Sequence, residues 1–325
     1  MEAKVLGIGN ALVDILVRMP NDDLLTKLEL PKGSMQLVDE AHSGEIYEDI
    51  RDLNPQIVSG GSASNTINGL SNLGISTGLI GKIGTDELGE RFLADLRTNS
   101  VAPMLLSSQT PTGSCISLIS PDSERTMCTH LGAAVELSKE DINPIVFEGY
   151  THFYVEGYLV QNPELIEAAC KMAKEKGLTC MLDLASYNVV EDNLEFMQHL
   201  IRKYIDVVFA NEEEATAFTG KEDYEALNEI GELTDNVVLK LGRRGSIVKV
   251  GDKTARVGVV KCNCIDTTGA GDLYASGFIW AMINGMTPEQ CATAGAITSG
   301  NVIEIIGTKM DSKRWTAIRQ ALKQL

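Results

Sequence analysis

From Tyr150 onward, apolar β-prone runs and amphipathic helical runs take turns without a break, and this alternation limits the fold more than any other feature of the 325-residue chain. The spacing predicts a strand over 151–156 and a helix over 163–176, with Asn162 as cap, Pro163 at its first position and Gly177 after it. A strand over 178–184, a helix over 192–203 and a strand over 205–209 follow. Apolar strands joined by helices pair in parallel through right-handed crossovers. The fold class is therefore α/β, a mostly parallel sheet covered by helices on both faces.

The N-terminal half has a different texture. Lys4 to Gly9 reads as a buried strand, and Ala11 to Val17 as a second segment interrupted by Asp14. Ile57 to Asn65 reads as a strand running into Gly60-Gly61-Ser62-Ala63-Ser64-Asn65 and a helix stopped at Gly74, and 79–84 and 87–98 as a further strand and helix. Residues 103–130 carry three β-prone runs (Met104 to Ser108, Cys115 to Ser120, Thr126 to His130) divided by turn sequences, the pattern of a hairpin insertion rather than a βα unit. No repeat or linker is present, so we expect one domain over 1–325, with a small β lid built from about 12–40 and 103–130.

The formal net charge of −17 argues against nucleic acid or an anionic membrane as partner, and leaves small molecules, in a monomer or homodimer. Seven cysteines form no Cys-x-x-Cys pair and the four histidines have no metal spacing. No apolar run is long enough for a signal or a span, so a cytoplasmic location is expected.

The chemistry gathers at Asp266-Thr-Thr-Gly-Ala-Gly-Asp272, which opens a helix predicted over Ala270 to Asn284 with Gly285 as its stop. The amides of Gly269, Ala270 and Gly271 have no intrahelical partners, the helix dipole adds positive character, and no bulky side chain stands in front of them. That makes an anion hole. Asp272, in the first turn, is placed to take a proton from a hydroxyl beside the anion. The combination suggests phosphoryl transfer to an alcohol; a bare helix cap on a glycine turn is the alternative.

The same seven residues resemble the C-terminal signature of the ribokinase-like (PfkB-type) carbohydrate and nucleoside kinases. Gly60-Gly61-x-x-x-Asn65, Gly81-x-x-Gly84-x-Asp86, Asn211-x-x-Glu214 and Lys240-Leu-Gly242-Arg-Arg-Gly245 fit that family in the same order. The resemblance implies an ATP- and Mg²⁺-dependent kinase with Asp272 as base and the 269–271 amides as the oxyanion donors. It implies that Asn10, Asp14, Gly60, Gly61 and Asn65 hold the acceptor, and that Asn211 and Glu214 hold Mg²⁺ through water. Lys240, Gly242, Gly245 and Thr267 then line the ATP site, and Asp266, Thr268 and Gly307 offer a site for K⁺. Arg125 is expected to reach the phosphates from the lid, entering only on closure, although an exposed strand arginine fits equally. Three acids after Asn211 also suit a plain helix start. Gly9-Asn10-Ala-Leu-Val-Asp14, Pro111-Thr-Gly-Ser-Cys115 and Gly157-Tyr158-Leu159 resemble the adenosine kinase branch, with Tyr158 and Met35 or Leu37 as an apolar wall for a base. A sugar kinase of the same family, a catalytically silent nucleotide-binding protein and a dinucleotide oxidoreductase stand as alternatives. The last lacks the third fingerprint glycine, since position 12 is Leu.

Overall fold

A computed structural model describes residues 2–122 and 124–325 and places the strands in two sheets. In chain order the strands are β1 (Lys4–Ile8), β2 (Leu12–Arg18), β3 (Met35–Leu37), β4 (Gln56–Ser59), β5 (Ser76–Gly84), β6 (Val101–Ser108) and β7 (Thr112–Ile119). They continue as β8 (Arg125–Gly132), β9 (His152–Glu156), β10 (Thr179–Asp183), β11 (Val207–Asn211), β12 (Asn236–Lys240), β13 (Ser246–Val250) and β14 (Lys253–Val257). The large sheet runs β14-β13-β12-β11-β10-β9-β1-β5-β6. It is parallel from β12 to β6, and β13 and β14 close one side antiparallel. The α/β fold is thus the expected one, with helices on both faces over two apolar clusters centred on residues such as Phe153 and Leu182 on one face and Tyr154 and Phe209 on the other.

The smaller sheet runs β3-β8-β7-β2-β4 over a core of Ile15, Ile46, Ile116 and Leu118. Its composition corrects the expected lid at two places. Val101–Ser108 belongs to the large sheet, pairing in parallel with β5 through the Glu87–Thr98 helix, so the first of the three β-prone runs is a βα unit after all. Its Met104 and Leu106 pack on the main core, and this apolar anchorage outweighs the short spacing to the hairpin that follows. Gln56–Ser59 instead joins the small sheet, antiparallel to β2. The second and third β-prone runs form the antiparallel pair β7 and β8 as anticipated.

The Ala270–Ile283 helix is apolar almost all round, which fits a helix surrounded by protein. It packs between the Ser62–Asn72 and Pro288–Val302 helices, the first of which also touches β1 and β5. Two helix N-termini, at Gly61 and Gly269, are thereby brought to the same end of the large sheet. Among the described residues no helix is long and apolar enough to cross a membrane.

Candidate active site

Strands β9, β10, β11 and β12 each end on a polar residue, and the register lines these residues up. Asp183 stands opposite Glu156, and Lys240 opposite Asn211, while Asn10 follows β1. In an open parallel sheet the crevice beyond the carboxyl ends of the strands is where ligands bind. Here that crevice is a cavity of about 560 Å³ between the two sheets, within the range of about 300–1,000 Å³ usual for small-molecule sites. Most of the residues singled out from sequence line it: Asn10, Asp14, Gly61, Asn65, Arg125 and Tyr158 on the side of the small sheet, and Asn211, Glu214, Lys240, Gly242, Gly245 and the 267–272 loop on the other. Gly60, Asp266 and Gly307 stand behind its wall.

The loop is built as a turn into a helix. Gly269 caps the Ala270–Ile283 helix at φ +69°, the left-handed region that favours glycine, and Asp272 lies in the first turn. The Asp272 carboxylate is held at both oxygens: Ser62 Oγ donates to Oδ1 at 2.8 Å and Asn65 Nδ2 donates to Oδ2 at 2.9 Å. Burial pushes Asp272 up to about 6, and the Asn65 and Ser62 hydrogen bonds hold that rise in check. Asn65 is therefore engaged with the base as well as facing the cavity, and its oxygen accepts from Thr308 Oγ1 at 3.0 Å. Asp266 closes the loop from beneath. Its Oδ1 accepts from the backbone N–H and Oγ1 of Thr268 at 2.9 and 2.7 Å, and its Oδ2 from Gly307 N–H at 2.8 Å. The three residues expected around K⁺ are thus joined to one another, with the carboxylate serving donors of the chain itself.

Arg125 reaches the anion loop from β8, its Nη1 donating to Thr268 Oγ1 at 3.1 Å. The buried Asp266 carboxylate, 4.0 Å from Arg125 Nε, supplies the attraction that draws it there.

On the small-sheet side, Asp14 faces the cavity and, among the described residues, receives no hydrogen bond from a protein donor. Burial pushes its carboxyl up to about 7 against the pull of Arg125 and Lys309. A Cβ on Gly60 would stand 2.2 Å from the Asp14 carboxyl carbon, which is why this position carries none. Sequence reasoning missed Glu156. Its Oε1 accepts from Asn10 Nδ2 at 2.9 Å and its Oε2 from Ala63 N–H at 3.0 Å, fixing both Asn10 and the start of the helix that carries Ser62 and Asn65. Tyr158 packs against the main core and lines the cavity, as do Met35, Leu37, Met127 and Leu131 of the small sheet.

On the opposite side Asn211 and Glu214 grip each other: Asn211 Nδ2 and N–H donate to the two Glu214 oxygens at 2.6 and 2.7 Å, and Asn211 Oδ1 accepts from Glu214 N–H at 2.8 Å. Burial pushes Glu214 up to about 7, opposed by Lys240. Among the described residues no three His, Cys, Asp or Glu side chains gather closely enough to hold a metal ion directly, and this corner offers a divalent cation only the Asn211 and Glu214 oxygens. With both Glu214 oxygens taken by Asn211, holding such an ion through water fits better than direct ligation. Arg244 turns to Glu212 and Asp223, with which it forms ion pairs.

A signed pH dependence follows from these carboxylates. Asp14, Glu156 and Glu214 each sit near 7 in the folded chain, so between about pH 4.5 and 7 the folded state holds protons the unfolded chain has lost, and stability falls as pH rises through that window. Carboxylates held below the usual range, such as Asp86 and Asp141, act only under about pH 4. We expect a higher Tm at about pH 5.5 than at about pH 8; a Tm that is flat or rises across that span would show that these groups ionise freely in the fold.

Sequence comparison extends the picture. The model of the pfkB family carbohydrate kinases matches residues 36–314. The chain belongs to this family. It is a kinase of ribokinase-like fold. Among solved structures the kinase is similar to adenosine kinase from Sinorhizobium meliloti, with 35% identity, 99% of this chain and 100% of that one covered, and a TM-score of 0.91. It is also similar to a probable sugar kinase from Rhizobium etli CFN 42, at 32% identity, 98% coverage of both chains and a TM-score of 0.91. Adenosine kinase 2 of Arabidopsis thaliana is 26% identical over 334 residues, covering 95% of this chain and 96% of its own.

Proposed function

We propose that this kinase transfers the γ-phosphoryl group of ATP to the 5′-hydroxyl of a ribonucleoside, adenosine first. The observation that carries the reading is the pairing within one cavity of an unengaged carboxylate, Asp14, with a clamped one, Asp272, beside a helix N-terminus. Asp14 suits two vicinal hydroxyls, since an ionised carboxylate accepts several donors at once. Ribose bound there by its 2′- and 3′-hydroxyls directs its 5′-hydroxymethyl toward Asp272, and its base toward the wall of Tyr158, Met35 and Leu37. An aromatic contact of this kind adds about 1 kcal/mol beyond area burial.

In this reading Asp272 takes the proton of the 5′-hydroxyl, the oxygen attacks the γ-phosphorus in line, and ADP leaves with the bond electrons. The Gly269 and Gly271 amides receive the charge that builds on the phosphoryl oxygens, the Ala270 N–H expected beside them donating instead to the Thr267 carbonyl at 3.1 Å, and Arg125 closes the far side of the loop. Thr267, Gly242 and Gly245 border the nucleotide. Asn211 and Glu214 would hold Mg²⁺ through water, and the ion neutralises phosphate charge when bound. The small sheet acts as a lid within a single domain, contributing Asp14, Arg125 and the apolar wall.

A free sugar is the second reading, favoured by the relative from Rhizobium etli described as a probable sugar kinase. Comparing kcat/KM for adenosine, inosine, ribose, fructose and 2-keto-3-deoxygluconate decides between them. Adenosine is expected to lead; a free sugar ahead of it by about tenfold, roughly 1.4 kcal/mol of transition-state binding, would end the nucleoside reading and leave the kinase intact.

A further inference from the structure

Lys240 and Asp183 form an ion pair at the carboxyl ends of β12 and β10, Nζ to Oδ2 at 2.8 Å, with side chains only 14% and 7% exposed. Two desolvated charges cost several kcal/mol, and an apolar pair of similar size commonly does as well for stability, so the fold gains little from keeping them. Their surroundings point to another use. A Cβ placed on Gly271 would lie 3.2 Å from Lys240 Nζ, which puts the ammonium against the first turn of the Ala270–Ile283 helix, beside the anion hole. Among the described residues, Lys240 and Arg125 are the only lysine and arginine lining the cavity, and Arg125 is bound to Thr268. Asp183 is itself set in place: its Oδ1 accepts from the N–H of Ala185 at 3.1 Å, and Ala185 adopts φ +72°, a left-handed backbone that a non-glycine residue reaches at a cost and that gathers at functional sites.

We propose that Lys240 is a catalytic residue that contacts the transferring phosphoryl group, with Asp183 as the positioning residue that aims it. The inference rests on the phosphoryl-transfer reading of this site. As the acceptor oxygen bonds to the γ-phosphorus and the bond to the β,γ-bridging oxygen breaks, its electron pair leaving on ADP and the hydroxyl proton going to Asp272, Lys240 keeps all its protons. It supplies positive charge to the equatorial oxygens opposite Arg125. The carboxylates of Asp183, Glu214 and Asp272 around it keep it protonated despite burial.

The test separates a catalytic role from a merely structural ion pair. Lys240→Met, Asp183→Asn and the double variant are compared with wild type in single-turnover transfer, using whichever acceptor of the panel above wild type phosphorylates, and in thermal unfolding. Lys240→Met alone leaves Asp183 unpaired and is expected to lower both Tm and rate. The double variant removes both charges of the pair, so its Tm should rise from that of Lys240→Met toward wild type while its rate stays at least ~10²-fold down, the usual cost of removing one charge-stabilising group. In Asp183→Asn the rate should fall more than the KM for ATP rises, because the ammonium is still present and only misplaced. A double variant within about threefold of wild type would overturn the proposal and leave the pair as packing. Because adenosine need not be the acceptor, failure of the nucleoside reading does not touch this result, whereas a wild type that transfers phosphate to no acceptor would remove the kinase reading itself.

Discussion

Asp272→Asn is expected to lower kcat by at least ~10²-fold while leaving ATP affinity within a few-fold of wild type, because it removes the proton acceptor and keeps its shape. The structure makes this a clean substitution. An asparagine there can turn its oxygen to Asn65 Nδ2 and its amide to Ser62 Oγ, so both anchoring hydrogen bonds survive and the helix start need not move. The proposed role also fixes a pH signature. Asp272 acts as base only when ionised, and burial has raised it to about 6, so kcat should fall as pH drops through about 6, while kcat/KM also carries the ionisation of Asp14 near 7. Activity and stability then move in opposite directions between about pH 5 and 7, since the carboxyls near 7 favour the fold when protonated. An Asn variant within a few-fold of wild type in single-turnover transfer would take Asp272 out of the mechanism. An acid limb unchanged in that variant would assign the limb to another group.

How legible the site was in the sequence depended on how each residue announces itself. The 266–272 loop and the paired glycines before Asn65 combine turn chemistry with a helix start, and such local signals depend little on the rest of the fold. The alternation after Tyr150 likewise fixes a parallel sheet from local periodicity alone, and the strands expected at 151–156, 178–184 and 205–209 fell within one or two residues of those bounds, while the antiparallel β13 and β14 lie outside that reading. Glu156 and Asp183 were missed for the opposite reason. Each is a lone carboxylate at the end of an apolar strand, ordinary in one dimension, and it becomes part of a site only when the parallel register sets it beside its neighbours. A usable signal was present, since a parallel sheet gathers the last residue of every strand into one crevice. The lid boundary failed at β6 because strand propensity says nothing about which sheet a strand joins. Met104 and Leu106 find their apolar partners on the main core, and that tertiary choice is invisible to a reading by runs and turns. Ser62 and Thr308 belong to the same class: their hydroxyls matter through partners more than 200 residues away in the chain.

Gly269→Ala is expected to cost activity at least as heavily as it costs stability, through two routes that a second substitution can separate. The left-handed backbone at φ +69° penalises any side chain by about 1–2 kcal/mol. The new Cβ would also stand 2.4 Å from Thr308 Cγ2, closer than such atoms come, so either the loop or Thr308 must shift. A shifted loop moves the amides proposed to face the phosphoryl group. A shifted Thr308 pulls on Asn65, whose oxygen accepts from Thr308 Oγ1 and whose Nδ2 donates to Asp272. Both routes end at the reacting atoms, and since displacement of about 1 Å at such a centre costs ~10²-fold, kcat should fall by at least that much. Adding Thr308→Ser removes Cγ2 and keeps the hydroxyl that bonds Asn65. The double variant should therefore recover the share of rate and Tm lost to the clash, and retain only the share due to the left-handed turn. Equal rates in the single and double variants would mean that the methyl contact carries no part of the effect. A Gly269→Ala chain with wild-type kcat would mean that the turn does not set the geometry of transfer, and that the anion hole lies elsewhere in the cavity.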